Sequence, residues 1–299
     1  LRVETCDTPG IPGDGAAIPE HMPTALAGRP STCSLGLPVV LQTLDVSAEH
    51  RRRWEARALS HGIDSFHVQP GVNATDVGAM SAHVPPKLSS LRLTEDDQRM
   101  ALKKIAMWVV QRGFHARVAS GEWGSDGAVL LEDDVHLNAH FCARVNRALS
   151  ALPADGAWDV LFLGHCAESY GGIRSCNRTA RQPAEFLSRG AYPMCTHAFA
   201  VSPRGASRLH RLLAGWPLEY VDAVAAKPPR RDQRRPRKSA LDNGHDVKMA
   251  KLVYAKEIEA YLVWPQVALQ PWQRRATRPH DYYIGDTRIP APCLASNRR

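Results

Sequence analysis

The stretch "AVLLEDDVHL", residues 128–137, decides how the chain is read. Four apolar residues without alternation mark a strand buried on both faces, as in a central parallel strand. Glu132, Asp133 and Asp134 follow at its C-terminal end, where ligands bind in open α/β sheets. Adjacent carboxylates repel one another, and a divalent cation with oxygen ligands relieves that repulsion. The plainer alternative is an exposed acidic turn.

The same triplet occurs at Glu95-Asp96-Asp97, in "LTEDDQRMALKKIAMWVVQRG" (93–113). There it opens a helix. Thr94 is the N-cap, and Ala101, Ile105, Trp108 and Val109 recur at helical spacing. Carboxylates in a first turn offset the partial positive charge of exposed N–H groups. Gly113 is expected to end this helix.

Outward from the acidic strand, short buried runs alternate with helices. "LPVVLQTLD" (37–45) is a strand, followed by a helix capped by Ser47 and stopped at Gly62. "SFHV" (65–68), "WDVLFLG" (158–164) and "THAFAVS" (196–202) are further strands. Residues 138–152, 202–215 and 244–258 are helices, the second with Ser202 as N-cap and Pro203 at the first helical position. "AYLVWPQVALQ" (260–270) closes the pattern as a late strand and turn. Such alternation predicts a three-layer α/β domain with a mostly parallel sheet.

The 299 residues, 44% of them apolar, suffice for a sizeable core, and no apolar run has the length of a membrane span. Residues 1–35 are rich in Gly, Pro, Ala and Thr, and read as a stem or linker. The catalytic domain is expected over 36–285, with a tail at 286–299. The chain starts at Leu, so a targeting segment or N-terminal membrane anchor is expected to be missing. The net charge of +8 comes largely from "PPRRDQRRPRK" (228–238). Its prolines exclude a regular helix or strand. It is either a solvated loop or a contact for an acidic partner or phosphate-bearing substrate. It lacks interleaved aromatics, so no nucleic-acid partner is expected.

None of the seven cysteines forms a CxxC pair, which argues against zinc. Two sequons, at Asn73 and Asn177, lie in turn-like sequence as glycan acceptors must. Sequons and dispersed cysteines point to the lumen of the secretory pathway, Golgi or endoplasmic reticulum, or to a secreted protein. Cys166, Cys176 and Cys195 bracket a loop at 168–194. A bridge between Cys166 and Cys195 is expected, because each stands beside a strand.

Five blocks, in order, resemble glycosyltransferase family 25, which includes lipooligosaccharide and procollagen galactosyltransferases. They are "VVLQTLDVSAEHRRRWEARALSHGI", "AVLLEDDVHL", "WDVLFLG", "CTHAFAVSPRGASRLHRLL" and "AYLVWPQVALQ". The resemblance implies a GT-A-type fold, a UDP-sugar donor, Mn²⁺ or Mg²⁺, and inverting transfer of a hexose, galactose foremost, to a hydroxyl of a glycan or glycoprotein. It implies Asp134 as the most direct metal ligand, with Asp133 as a further ligand. Asp133 or Glu132 would orient water, ribose or sugar hydroxyls. His197 and Arg52 are further donor-binding candidates. The resemblance also implies an acidic base between the Thr-His-Ala helix and the final strand, where Asp246 fits best and Asp222 competes. The family's Ser-His pair before the acidic motif is replaced by Lys103-Lys104, of which Lys104 can meet phosphate as a point charge. That departure keeps a second reading open, a catalytically silent relative that binds a glycan or a protein.

Overall fold

Three helices begin as local chemistry dictates. The side chains of Ser47, Thr94 and Ser202 accept hydrogen bonds from the backbone N–H groups of His50, Asp97 and Gly205. The computed structural model describes residues 33–154, 156–165, 187–190, 192–226, 244–263 and 266–270. Contacts divide the chain into 1–30 and 31–299, and all described residues belong to the second unit.

The elements in chain order are β1 Val39–Thr43, α1 Ala48–Ser60, β2 Phe66–Pro70, α2 Val77–Ser81, α3 Pro86–Ser90, α4 Glu95–Ala119, β3 Ala128–Glu132, β4 His136–Leu137 and α5 Phe141–Ala151. Then come β5 Val160–Gly164, β6 Leu187–Arg189, β7 Ala198–Val201, α6 Pro203–Leu212, α7 Trp216–Ala225, α8 His245–Tyr254, β8 Ala260–Val263 and β9 Ala268–Leu269. The chain is α/β, as its alternating pattern predicts.

The main sheet has seven strands in the order β2-β1-β3-β7-β5-β8-β6. β1 lies parallel to both β2 and β3. β7 is antiparallel to β3 and to β5, which returns β5 to the direction of β3, and β8 is parallel to β5. The sheet is therefore mostly parallel, with β7 and the edge strand β6 reversed. β3 is central but parallel on one side only. A small ribbon pairs β4 with β9.

Side chains alternate across the sheet. Val40, Leu130, Phe162 and Leu262 face a core filled by Ile105 and Phe114 of α4, Leu209 of α6, Tyr220 of α7 and Met249 of α8. Leu41, Leu131, Leu163 and Tyr261 face Trp54 of α1 and Phe141 and Val145 of α5. Each buried side chain of this size contributes roughly 1.5–3 kcal/mol, so helices are held on both faces.

Two expectations need correction. Gly113 does not end α4, which runs to Ala119. Phe114, His115 and Val118 are buried beyond it, and their packing outweighs the roughly 1 kcal/mol cost of a helical glycine. The stem does not extend to residue 35. Cys33 is bonded to Cys142 of α5 with Cα atoms 6.1 Å apart, and Asn146 donates to Ser34 O at 2.8 Å. Gly62 adopts φ 77° against this bridge, where a side chain would collide with Cys33 O and Cys142 Cβ.

Candidate functional site

β1 and β3 run side by side and place Gln42 opposite Glu132 at their C-terminal ends. The acidic triplet leaves the sheet there. Glu132 N–H donates to His197 O of the neighbouring segment at 2.8 Å, and Asp133 N–H donates to Gln42 O at 3.1 Å. The turn is thus fixed from both sides by backbone bonds.

Its three carboxylates have different surroundings. Asp133 turns towards the first block: Thr43 Oγ1 donates to Asp133 Oδ2 at 2.5 Å, and His50 Nε2 lies 3.7 Å from the same oxygen. Trp54 Nε1 donates to Asp133 O at 3.2 Å. Glu132 accepts from Gln270 Nε2 at 2.9 Å. The residue keeps some exposed area, yet protein atoms crowd its carboxyl group. Burial, and next the charge of Asp134, push its pKa up to about 8. Asp134 is the exposed member. Burial of its carboxylate and the charge of Asp133 raise its pKa, while His136 and Arg57 oppose the rise.

Arg57, which sequence reasoning passed over, is the arginine whose charge reaches this turn. Its guanidinium lies 4.6 Å over the Trp54 ring, and its charge interacts with Asp134. The i, i+3 spacing of Trp54 and Arg57 was the available signal. Arg52 lies exposed on α1.

The charge of Asp246, at the start of α8, acts on Glu132. Cys195 N–H donates to Asp246 Oδ2 at 3.3 Å. Asp246 Oδ1 lies over Gly244, where a Cβ would strike it and would meet Lys104 Nζ at 3.3 Å. Lys104 is half-buried and makes no ion pair among the described residues. Asp222 is elsewhere: its side chain, 64% exposed on α7, forms an ion pair with Lys87 at 2.6 Å. His197 is buried, its ring against Gly164 and Ala268 O, and burial lowers its pKa to about 4. It touches the triplet through its backbone.

A cavity of about 490 Å³ opens at the ends of β1 and β2 against the first half of α4. Leu44, Val72, Ala74 and Leu102 give it apolar walls, and Glu95, Arg99 and Lys103 line it with charge of both signs. Gln42 is 6% exposed, and its Oε1 has no hydrogen-bond partner among the described residues. Asn73 stands on the lip, its Oδ1 accepting from Thr75 N–H and Oγ1 at 3.0 and 2.9 Å.

Among the described residues no three His, Cys, Asp or Glu side chains converge as a metal cage. The donor set nonetheless suits a hard cation that keeps water and phosphate ligands, as Mg²⁺ does. Asp134 and the Asp133 oxygen not taken by Thr43 are the groups that could hold such a cation. Among the described residues no helix is long and apolar enough to cross a membrane. Cys195 is disulfide-bonded. Cys166, Asn177 and the 228–238 segment lie outside the described residues. No protein-family model matches the chain, and a search of curated proteins finds no match.

Proposed function

We propose that the chain is an inverting glycosyltransferase of the GT-A type. It moves a hexose, galactose foremost, from a UDP-sugar to a hydroxyl of a glycan or glycoprotein. One observation carries the reading: blocks distant in sequence meet at the acidic strand end, Thr43 on Asp133, Gln270 and the His197 backbone on Glu132, with Asp246 bonded to Cys195, two residues before His197.

Each part has a role in this reading. The cavity over β1 and β2 offers apolar walls to a flat nucleobase. Arg57 and Lys104 present half-buried positive charge for a diphosphate. Asp134 and Asp133 would hold Mn²⁺ or Mg²⁺, which when bound neutralises the charge of the departing diphosphate. Asp246 is the general base, its Oδ1 taking the acceptor's proton. The acceptor oxygen bonds to the anomeric carbon as that carbon's bond to the diphosphate breaks, and the bonding pair leaves with the diphosphate. The Cys33–Cys142 bridge supports an oxidising compartment, hence the secretory lumen.

The test exchanges the two candidate bases. Removing a general base costs about 10²–10⁴-fold in rate. Asp246→Asn is expected to fall in that range with donor affinity retained, while Asp222→Asn transfers normally. A dead Asp222→Asn beside an active Asp246→Asn would move the base to α7 and contradict the assignment.

A further inference from the structure

We infer that Gln111 is a positioning residue for Asp246, holding the two chain segments that aim its carboxylate. The inference rests on the reading of Asp246 as general base. Gln111 lies within α4 and is 1% exposed. Its neighbours on the buried side of that helix are Trp108, Phe114 and His115. A buried primary amide is costly there unless both its ends are hydrogen-bonded.

Both ends are used, each on a residue next to the Asp246 contact. Gln111 Oε1 lies 2.7 Å from His245 Nε2, and His245 directly precedes Asp246. Gln111 Nε2 donates to Thr196 Oγ1 at 2.8 Å and to Thr196 O at 3.3 Å. Thr196 directly follows Cys195, the residue whose N–H donates to Asp246 Oδ2. His245 Nε2 also lies 3.4 Å from Thr196 Oγ1, which closes a triangle of buried groups. Because an amide oxygen only accepts, His245 Nε2 carries the proton of that bond.

One strained residue makes the clamp more than a structural cross-link. Cys195 has φ 69°, in the left-handed region that non-glycine residues seldom occupy. Such a conformation persists only where the surroundings impose it, and it is found at working sites. Here the surroundings are the disulfide on Cys195 itself and the Gln111 bonds to the next residue. The conformation turns the Cys195 N–H onto Asp246. With Oδ2 held there, Oδ1 stays over Gly244, beside Lys104.

The test compares Gln111→Met, which keeps length but loses both bonds, with Thr196→Val, which keeps shape and removes one acceptor. Asp246→Asn is the reference. Two readouts are taken on folded protein: transfer kinetics, and the NMR shift of the isotope-labelled Cys195 amide. Misplacing a reacting group by about 1 Å costs on the order of 10²-fold. Gln111→Met is expected to lower kcat by roughly 10- to 100-fold with donor KM within about two-fold. Its Cys195 amide is expected to shift towards the Asp246→Asn position. Thr196→Val is expected to move both readouts less and in the same direction, and it decides the matter should Gln111→Met fail to fold. A Cys195 amide unmoved in the variants, or an unchanged kcat, would overturn the inference. Normal transfer by Asp246→Asn would sink the base reading instead, and the amide shift would still show whether Gln111 sets this carboxylate.

Discussion

Glu132 accepts a hydrogen bond from Gln270 at 2.9 Å, across 138 residues of sequence. That bond joins the acidic strand to the closing segment and commits one carboxylate of the triplet. Thr43 commits a second, Asp133. Asp134 is left as the residue of the three with the most exposed surface.

The two triplets are therefore expected to differ in kind. Asp134→Ala abolishes Mn²⁺-dependent activity and keeps the fold. Asp97→Ala keeps activity and loses only a helix-dipole interaction, roughly 0.3–1 kcal/mol. The cap itself is Thr94 Oγ1, which accepts from Asp97 N–H at 3.1 Å. Thr94→Ala should therefore cost more, about 1 kcal/mol. Thermal melts and activity assays on the three variants check this, and like behaviour of Asp134→Ala and Asp97→Ala would refute the separation.

The Cys33–Cys142 bridge closes a loop with a sequence separation of 109. Restricting the unfolded chain over such a loop is worth roughly 4–5 kcal/mol on the chain-entropy model. Cys142→Ser is expected to lower the denaturation midpoint accordingly, and reductant is expected to destabilise the parent but not the variant through this bond. A midpoint unchanged by Cys142→Ser would contradict the bridge.

Acid should destabilise the protein well above the carboxylate range. His115 is fully buried, and neither ring nitrogen has a hydrogen-bond partner among the described residues. Burial first, then the charges of His245 and His210, lower its pKa from 6.5 to about 3. The unfolded chain takes up this proton below 6.5 and the fold does not until about 3. Stability is thus full above that window and falls as pH drops through it, by about 1.4 kcal/mol per unit. His165, lowered to about 3, and His245, lowered to about 4, add to the slope. Denaturant titrations across this range should show His115→Leu with one proton less in the slope. An equal slope would mean that His115 is charged in the fold.

What the sequence disclosed depended on the range of the interaction. The caps at Ser47, Thr94 and Ser202 bridge three residues, so composition reveals them. β3 reads as buried because its apolar run is local, but the reversal of β7 beside it is not: strand direction is set by the whole crossover. The bounds of α7 are not marked by a capping residue, although Trp216, Tyr220 and Val224 recur every fourth residue and are buried. α2 and α3, five residues each, are too short to show a period. Of the candidate site, the triplet and Asp246 stand out in the sequence as residue types in order. The pairing of Cys33 with Cys142 and the reach of Arg57 and Gln111 depend on tertiary approach.

The proposed nucleotide-sugar chemistry takes place at the end of β3. The most direct measurement incubates the protein with a panel of UDP-sugars, with and without Mn²⁺, and records UDP release. One sugar, galactose foremost, is expected to give Mn²⁺-dependent release that Asp134→Ala abolishes. Release from no member of the panel by folded protein, or release that Asp134→Ala leaves intact, would contradict it.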